Sequence, residues 1–237
     1  MNTSSDLWAV IPAGGIGQRF GARVPKQYVS VAGRSVLQWT VDALSRVDEI
    51  TTIVVAVEDE RAFRNAVRDQ ANVIPVAGGA SRAESVQNAL QFIAARADNP
   101  WVLVHDAARP CVKADNIRRL IAAVLASEQG GLLAEPVTDT VKKVANERAT
   151  ETLPREQIWL AHTPQMFRCR DLYDAQRRAL AAGIAITDEA SAMSFIGEAP
   201  LVVRDTRDNI KITQPEDLEL ASWYLQKAME PAGEPSL

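Results

Sequence analysis

Apolar residues gather in short, nearly unbroken runs, separated by segments where they recur every three or four positions. The runs are Trp8-Ala9-Val10-Ile11, Ile50–Val57, 72–76, Trp101–Val104 and 131–137, and they are rich in valine and isoleucine. A strand that is apolar on both faces is one buried from both sides, as in a parallel sheet covered by helices. Between the runs lie three segments of helical period. These are Val36-Leu37 with Val41, Leu44 and Val47; Val86 with Leu90 and Ile93; and Ile117 with Leu120, Ile121, Val124 and Leu125. The alternation predicts an α/β fold: a mostly parallel sheet sandwiched by helices.

Polar positions mark where the helices start. Ser81-Arg82-Ala83-Glu84 has the spacing of a capping box, and Ser35 with Gln38 is a weaker version. Thr213 with Glu216, and Pro215 in the first turn, predicts the start of the last helix. The stretch 138–159 breaks the rhythm: it is polar and charged, with little periodicity. Such a stretch is either an insertion with a task, such as an arm reaching a partner subunit, or a flexible surface excursion. Residues 230–237 read as a frayed tail.

Composition narrows the classes. A chain of 237 residues suits one large unit with a small excursion. A net charge of -4 gives no general basic field for nucleic acid, so cations for an anionic substrate must be local. Cys111 and Cys169 are the only cysteines and are far apart, which fits free thiols in a reducing compartment. Residues 1–6 lack the profile of a signal peptide, and no apolar run approaches the roughly 18 residues of a membrane span. A soluble, cytoplasmic protein with no membrane partner is expected.

The strongest local signal follows the first strand: Pro12-Ala13-Gly14-Gly15-Ile16-Gly17-Gln18-Arg19, then Pro25-Lys26-Gln27. Glycines let backbone N–H groups approach a ligand, and successive N–H groups form an anion cradle. A tight strand-to-helix turn with solvent-facing charges would read the same way. No glycine stands three after Gly17, so the dinucleotide fingerprint of a nicotinamide oxidoreductase is missing, and no Gly-Lys-Ser/Thr closes a Walker loop. A nucleotide-binding regulator without catalysis remains open at this point.

Taken together, these motifs resemble the family of 2-C-methyl-D-erythritol 4-phosphate cytidylyltransferases. The glycine loop and Pro25-Lys26-Gln27-Tyr28 are similar to the family's nucleotide loop and lysine segment. Gly78-Gly79 with Arg82-Ala83-Glu84-Ser85-Val86 is similar to the segment framing the base. Val104-His105-Asp106-Ala107-Ala108-Arg109-Pro110 is the most distinctive match. Asp139-Thr140, His162-Thr163-Pro164-Gln165, Thr187-Asp188-Glu189-Ala190 and Asp208-Asn209-Ile210-Lys211 follow in order, so that the resemblance spans residues 8–224. The family often has alanine where Gly14 stands and an acidic residue where Ala80 stands. Base contacts near Ala80 would then come from backbone groups or Ser85.

The resemblance implies a Rossmann-like sheet of the nucleotide-diphospho-sugar transferase type, one unit over 1–237 with 138–159 as an inserted dimerisation arm. It implies transfer of CMP from CTP to methylerythritol phosphate, with release of pyrophosphate; ribitol 5-phosphate is the alternative acceptor. Arg19, Lys26 and Lys211 are the implied catalytic cations. The implied nucleotide contacts are Ala13, Gly14, Gly15, Gly17, Gly79, Ala80, Ser85 and Ala107. Asp106, Arg109, Thr140, Arg155 and Thr163 are the implied acceptor contacts, with Thr140 and Arg155 reaching across a homodimer. Asp106 and Arg109 also have plainer readings, as a turn cap and a surface residue. Mg2+ is the implied cofactor, held mainly by CTP phosphates with Asp106 nearby. Two histidines, His105 and His162, without a Glu or Cys cluster make a weak metal site; both read as structural or positioning residues. With the chain ending near Leu237, the next pathway enzyme is expected not to be fused to it.

Overall fold

The structure, a computed structural model, describes residues 7–15 and 24–230. Its strands are β1 (Leu7–Pro12), β2 (Ser30–Val31), β3 (Arg34–Ser35), β4 (Ile50–Val57), β5 (Val73–Ala77), β6 (Trp101–Val104), β7 (Gly131–Pro136), β8 (Val141–Ala145), β9 (Arg148–Leu153), β10 (Trp159–Arg168) and β11 (Leu201–Arg204). Its helices are α1 (Val36–Ser45), α2 (Glu60–Ala66), α3 (Arg82–Ala94), α4 (Ala114–Ser127), α5 (Cys169–Ala181), α6 (Glu189–Phe195) and α7 (Asp217–Met229).

Seven strands form one sheet in the order β11-β7-β10-β6-β1-β4-β5. All neighbouring pairs are parallel except those of β10, which runs antiparallel to both β6 and β7. The apolar runs explain the burial. Ala9, Ile11, Ile53, Val55, Trp101 and Leu103 face a core built with α1, α2 and α4. The alternate residues Val10, Val54, Val102 and Val104 face a second core built with α3, α5 and α6. Consecutive side chains point to opposite faces of a strand, so only a run apolar at every position can fill both layers. Each valine, isoleucine or leucine among them, fully buried, stabilises the fold by roughly 1.5–3 kcal/mol.

The expected caps are partly realised. Ser35 Oγ accepts from the Gln38 N–H, and Ser81 Oγ from the Glu84 N–H at 3.2 Å. The Glu84 carboxylate, however, turns to the Ala80 N–H rather than completing the box on Ser81. The last helix starts at Asp217, later than Thr213 suggested. The Asp217 carboxylate accepts from the N–H groups of Thr213 and Gln214 and from the Thr213 hydroxyl, closing a turn before the helix.

The stretch 138–159 has more regular structure than its sequence pattern suggests. β8 and β9 form an antiparallel hairpin, turning at Asn146 and Glu147, both at positive φ (49° and 60°). That pair of angles suits a tight hairpin turn. Nearly every residue of β8 and β9 is exposed, so no face needs to be apolar and no alternation arises. Among the described residues, no helix is long and apolar enough to cross a membrane. The expectations for residues 1–6 and 231–237 fall outside the described residues.

Candidate active site

β1 and β6 lie side by side, yet the chain leaves β1 towards β4 on one side and meets β6 only after β5. The loops at their C-terminal ends therefore part to opposite sides and leave a crevice, the place where ligands meet open α/β sheets. A cleft of about 150 Å3 sits there, lined by Gly14, Gly15, Lys26, Arg82, Asp106 and Lys211, among others. Ala13 stays tied to the sheet through its N–H to Ala56 O at 2.7 Å. The buried Gln27 donates to the carbonyls of Ala13 (2.8 Å) and Gly15 (3.2 Å), so one side-chain amide braces the glycine turn. Lys26 begins a single 3-10 turn, Lys26–Tyr28, and its ammonium donates to Ile212 O at 2.8 Å, which brings it to the segment carrying Lys211.

Asp106 follows β6 and is the hub of the charges. Its Oδ1 is 2.9 Å from Arg82 Nε, and its Oδ2 is 2.8 Å from Lys211 Nζ and 3.8 Å from Arg109 Nε. Burial alone would raise this carboxyl; Arg82, Lys211 and Arg109 outweigh it and hold it well below the usual carboxylate range. Arg82 also makes a two-pronged contact with the fully buried Glu189, at 2.7 and 3.0 Å. Desolvation works against the Arg82 cation, but Glu189 and Asp106 reverse it and raise its pKa. A planar guanidinium suits this fork-on-fork geometry, where lysine would not.

Beside Asp106, hydrogen bonds fix the turn. His105 is wholly buried, with Nε2 3.0 Å from Arg109 O. A carbonyl only accepts, so Nε2 carries the proton and Nδ1 accepts from the Thr163 hydroxyl at 2.9 Å. The Thr163 oxygen in turn accepts the Asp106 N–H at 3.0 Å. Burial lowers the His105 pKa to about 4, which keeps this chain of donors in one direction. Arg109 donates to the carbonyls of Asn209 and Ala161, while its Nε is buried with no hydrogen-bond partner among the described residues. Burial lowers the Arg109 pKa. His162 Nδ1 meets Asp205 Oδ2 at 2.9 Å, and Asn209 and Asn116 donate to the same carboxylate. Burial raises the Asp205 carboxyl, and these donors more than reverse it.

The expected site residues divide into groups. Ala13, Gly14, Gly15, Lys26, Ser85, Asp106, Ala107 and Lys211 line the cleft. Gly79 and Ala80 line a neighbouring hollow of about 540 Å3 that shares Gly14 with it. Thr163 and Arg109 contact Asp106 without lining the cleft, and neither reads as a plain surface residue. Thr140 and Arg155 are exposed on the arm and do not reach this protomer's cleft; Arg155 donates to Thr138 O at 2.6 Å. Arg19 and Gly17 lie outside the described residues. Sequence reasoning missed the site roles of Arg82, Glu189 and Gln27. Arg82 was visible only as part of a helix start and of the segment resembling the base frame, with no role of its own, and its partner Glu189 is 107 residues away. Among the described residues no three His, Cys, Asp or Glu side chains gather in a way that could hold a metal. Both Asp106 oxygens are engaged by cations, so the protein fits a metal carried by a ligand's phosphates better than one bound directly.

Comparison with known proteins identifies the family. The family model described as 2-C-methyl-D-erythritol 4-phosphate cytidylyltransferase matches residues 7–227. A relative of that name from Vibrio parahaemolyticus is 46% identical over 229 residues, covering 95% of this chain and 97% of the relative. Another, from Vibrio atlanticus, is 43% identical and covers 94% and 96%. The crystal structure of the enzyme of that name from Francisella tularensis superposes with a TM-score of 0.80 at 38% identity, covering 93% of this chain and all of that one. With a family model spanning nearly all of the chain and relatives above 40% identity, this chain belongs to the 2-C-methyl-D-erythritol 4-phosphate cytidylyltransferase family.

Proposed function

We propose that the cleft transfers CMP from CTP to 2-C-methyl-D-erythritol 4-phosphate. A phosphate oxygen of the acceptor attacks the α-phosphorus of CTP; a new P–O bond forms as the α–β bridging P–O bond breaks, and pyrophosphate leaves. The attacking oxygen is already an anion, so no strong base is needed. The obstacle is bringing two anions together, which calls for positioned cations. The observation that carries the reading is the convergence of Lys26, Lys211 and Arg82 on one crevice beside the glycine turn. Lys26 and Lys211 take the triphosphate and the incoming phosphate. Asp106 and Arg109 take the acceptor, whose hydroxyl groups suit a carboxylate and whose charge suits the Arg109 guanidinium. Arg19 adds a further cation to the triphosphate.

Mg2+, carried on the CTP phosphates, would supply further charge neutralisation, with Asp106 beside it. The chain acts as one cytoplasmic nucleotidyltransferase unit with 138–159 as its arm, and works as a homodimer. Exposed Val144, Trp159 and Leu160 supply apolar surface on or next to the arm, and Thr140 and Arg155 complete the partner's site. The family match does not favour ribitol 5-phosphate as acceptor.

Pyrophosphate release, measured with each of the four nucleoside triphosphates and each of the two acceptors, tests this. The expected result is turnover with CTP and methylerythritol phosphate. A preference for ribitol phosphate would overturn the acceptor, and inertness with CTP the whole reading.

A further inference from the structure

The hollow next to the cleft is where the nucleoside of CTP must go. With phosphates on the glycine turn and the acceptor at Asp106, the remaining way out passes Gly14 into the hollow floored by Val57, Pro75 and Val76 and rimmed by Gly78, Gly79 and Ala80. All three rim N–H groups are already spent within the protein. Gly78 donates to Val57 O at 2.7 Å, Gly79 to Ser85 Oγ at 3.0 Å, and Ala80 to Glu84 Oε2 at 2.7 Å. Ser85 has no proton left for a ligand, because its hydroxyl donates to Ser81 O at 2.9 Å. The Gly79 carbonyl is 3.6 Å from where a Cβ on Gly14 would stand, on the wall shared with the cleft, and no described residue donates to it. The rim thus offers acceptors without donors. Cytosine presents an amino group at position 4, and uracil presents an oxygen there. An acceptor-only rim pairs with the first and repels the second.

One of those three donors is held by a side chain that does nothing else in the site. Glu84 is exposed, and its Cβ would lie 2.3 Å from a Cβ on Gly79, so it lies directly over that backbone. We propose that Glu84 is a positioning residue that sets selection of cytosine over uracil, by occupying the Ala80 N–H and keeping it away from the base. This chain has alanine at position 80, so no side chain there can share the task. The inference rests on the CTP reading above.

The test compares CTP with UTP in two ways: kcat/KM at saturating methylerythritol phosphate, and calorimetric binding without acceptor. The variants are Glu84→Ala, which frees the N–H, and Glu84→Gln, whose amide oxygen can still accept it. Glu84→Ala is expected to lower the CTP/UTP ratio about tenfold, mainly through improved use of UTP, and Glu84→Gln to restore it. Equal losses with both nucleotides in Glu84→Ala, as for a residue that merely caps the turn, would overturn the proposal. So would a ratio unchanged in Glu84→Ala. A native enzyme with no preference for CTP would instead overturn the parent reading, and this one with it.

Discussion

The cleft and the arm use the same residue types to opposite ends. At the cleft, Asp106 has side-chain exposure of 10% and Glu189 of 0%, and their carboxylates meet Arg82 and Lys211 at 2.7–2.9 Å. On the arm, Lys143 and Glu151 are 66% and 56% exposed and stand 3.6 Å apart. In the first setting the carboxylates have lost most of their water and need their cations, so geometry is fixed and breaking one pair is costly. In the second, water screens both partners and the pair contributes little. A lone two-stranded hairpin is marginal in water, whereas the cleft is built on the seven-stranded sheet. Charge in the sheet's crevice is held in place by buried partners; charge on the arm stays in water.

The largest expected effect comes from removing a cleft cation. Lys26→Ala should lower kcat/KM by about a hundredfold, on the order of 3 kcal/mol of transition-state stabilisation, with stability changed by no more than about 1 kcal/mol. Near-native kcat/KM in this variant would remove the cleft from the mechanism. The arm enters through complementation. Lys26→Ala and Arg155→Ala chains, each defective alone and mixed at random as dimers, should recover about a quarter of native activity, because half the dimers are mixed and each carries one intact site. Verified mixed dimers without recovery would place Arg155 outside the partner's site.

Next in size is the buried fork. Glu189→Ala leaves Arg82 with one carboxylate where it had two, and should destabilise the fold by about 2–3 kcal/mol in urea unfolding. Glu189→Gln, which keeps one acceptor, should cost less. Glu151, an exposed arm carboxylate, gives no comparable loss, so a Glu189→Ala protein of native stability would show that the fork is not what holds Arg82.

A smaller effect follows from pH. His105 is neutral when folded because its pKa is lowered to about 4, whereas an unfolded histidine protonates near 6.5. Below about pH 6.5 the unfolded chain therefore binds the extra proton. Stability due to His105 is complete above that pH and is lost as pH falls towards 4. Between pH 6 and 5 the loss should be roughly 1 kcal/mol, read as a falling urea midpoint. In His105→Gln that part of the slope should vanish. A slope unchanged in the variant would assign it to other groups.

The sequence showed most clearly what was periodic. β1, β4, β6 and β7 appear in their apolar runs because both faces of each are buried, and α1, α3 and α4 in their spacing. β10 was invisible because its buried stretch contains His162, Thr163 and Gln165, polar residues that fit only once Asp205, His105 and Asp188 are in place. Partners so far apart in sequence leave no local period. α6 starts on a reciprocal cap between Asp188 and Ser191 that the folded chain reveals, and the use of the next residue, Glu189, depends on an arginine from a different helix. The site divides in the same way. Asp106 and Lys26 stand in distinctive motifs, whereas Arg82 and Gln27 act through contacts that appear only when the chain is folded.

The smallest expected effect is on the arm itself. Lys143 and Glu151 face each other across β8 and β9, and both remain largely in water. Holding two long side chains together costs rotamer freedom, and high dielectric weakens the attraction, so such pairs contribute about 0.5 kcal/mol or less. Lys143→Ala should therefore shift unfolding by less than about 0.5 kcal/mol, and high salt should erase even that. A shift above about 1 kcal/mol would mean that the pair is buried in the working protein. If that shift also faded on dilution to the monomer, the cover would be the second subunit, and the arm would share the buried-charge physics of the cleft after all.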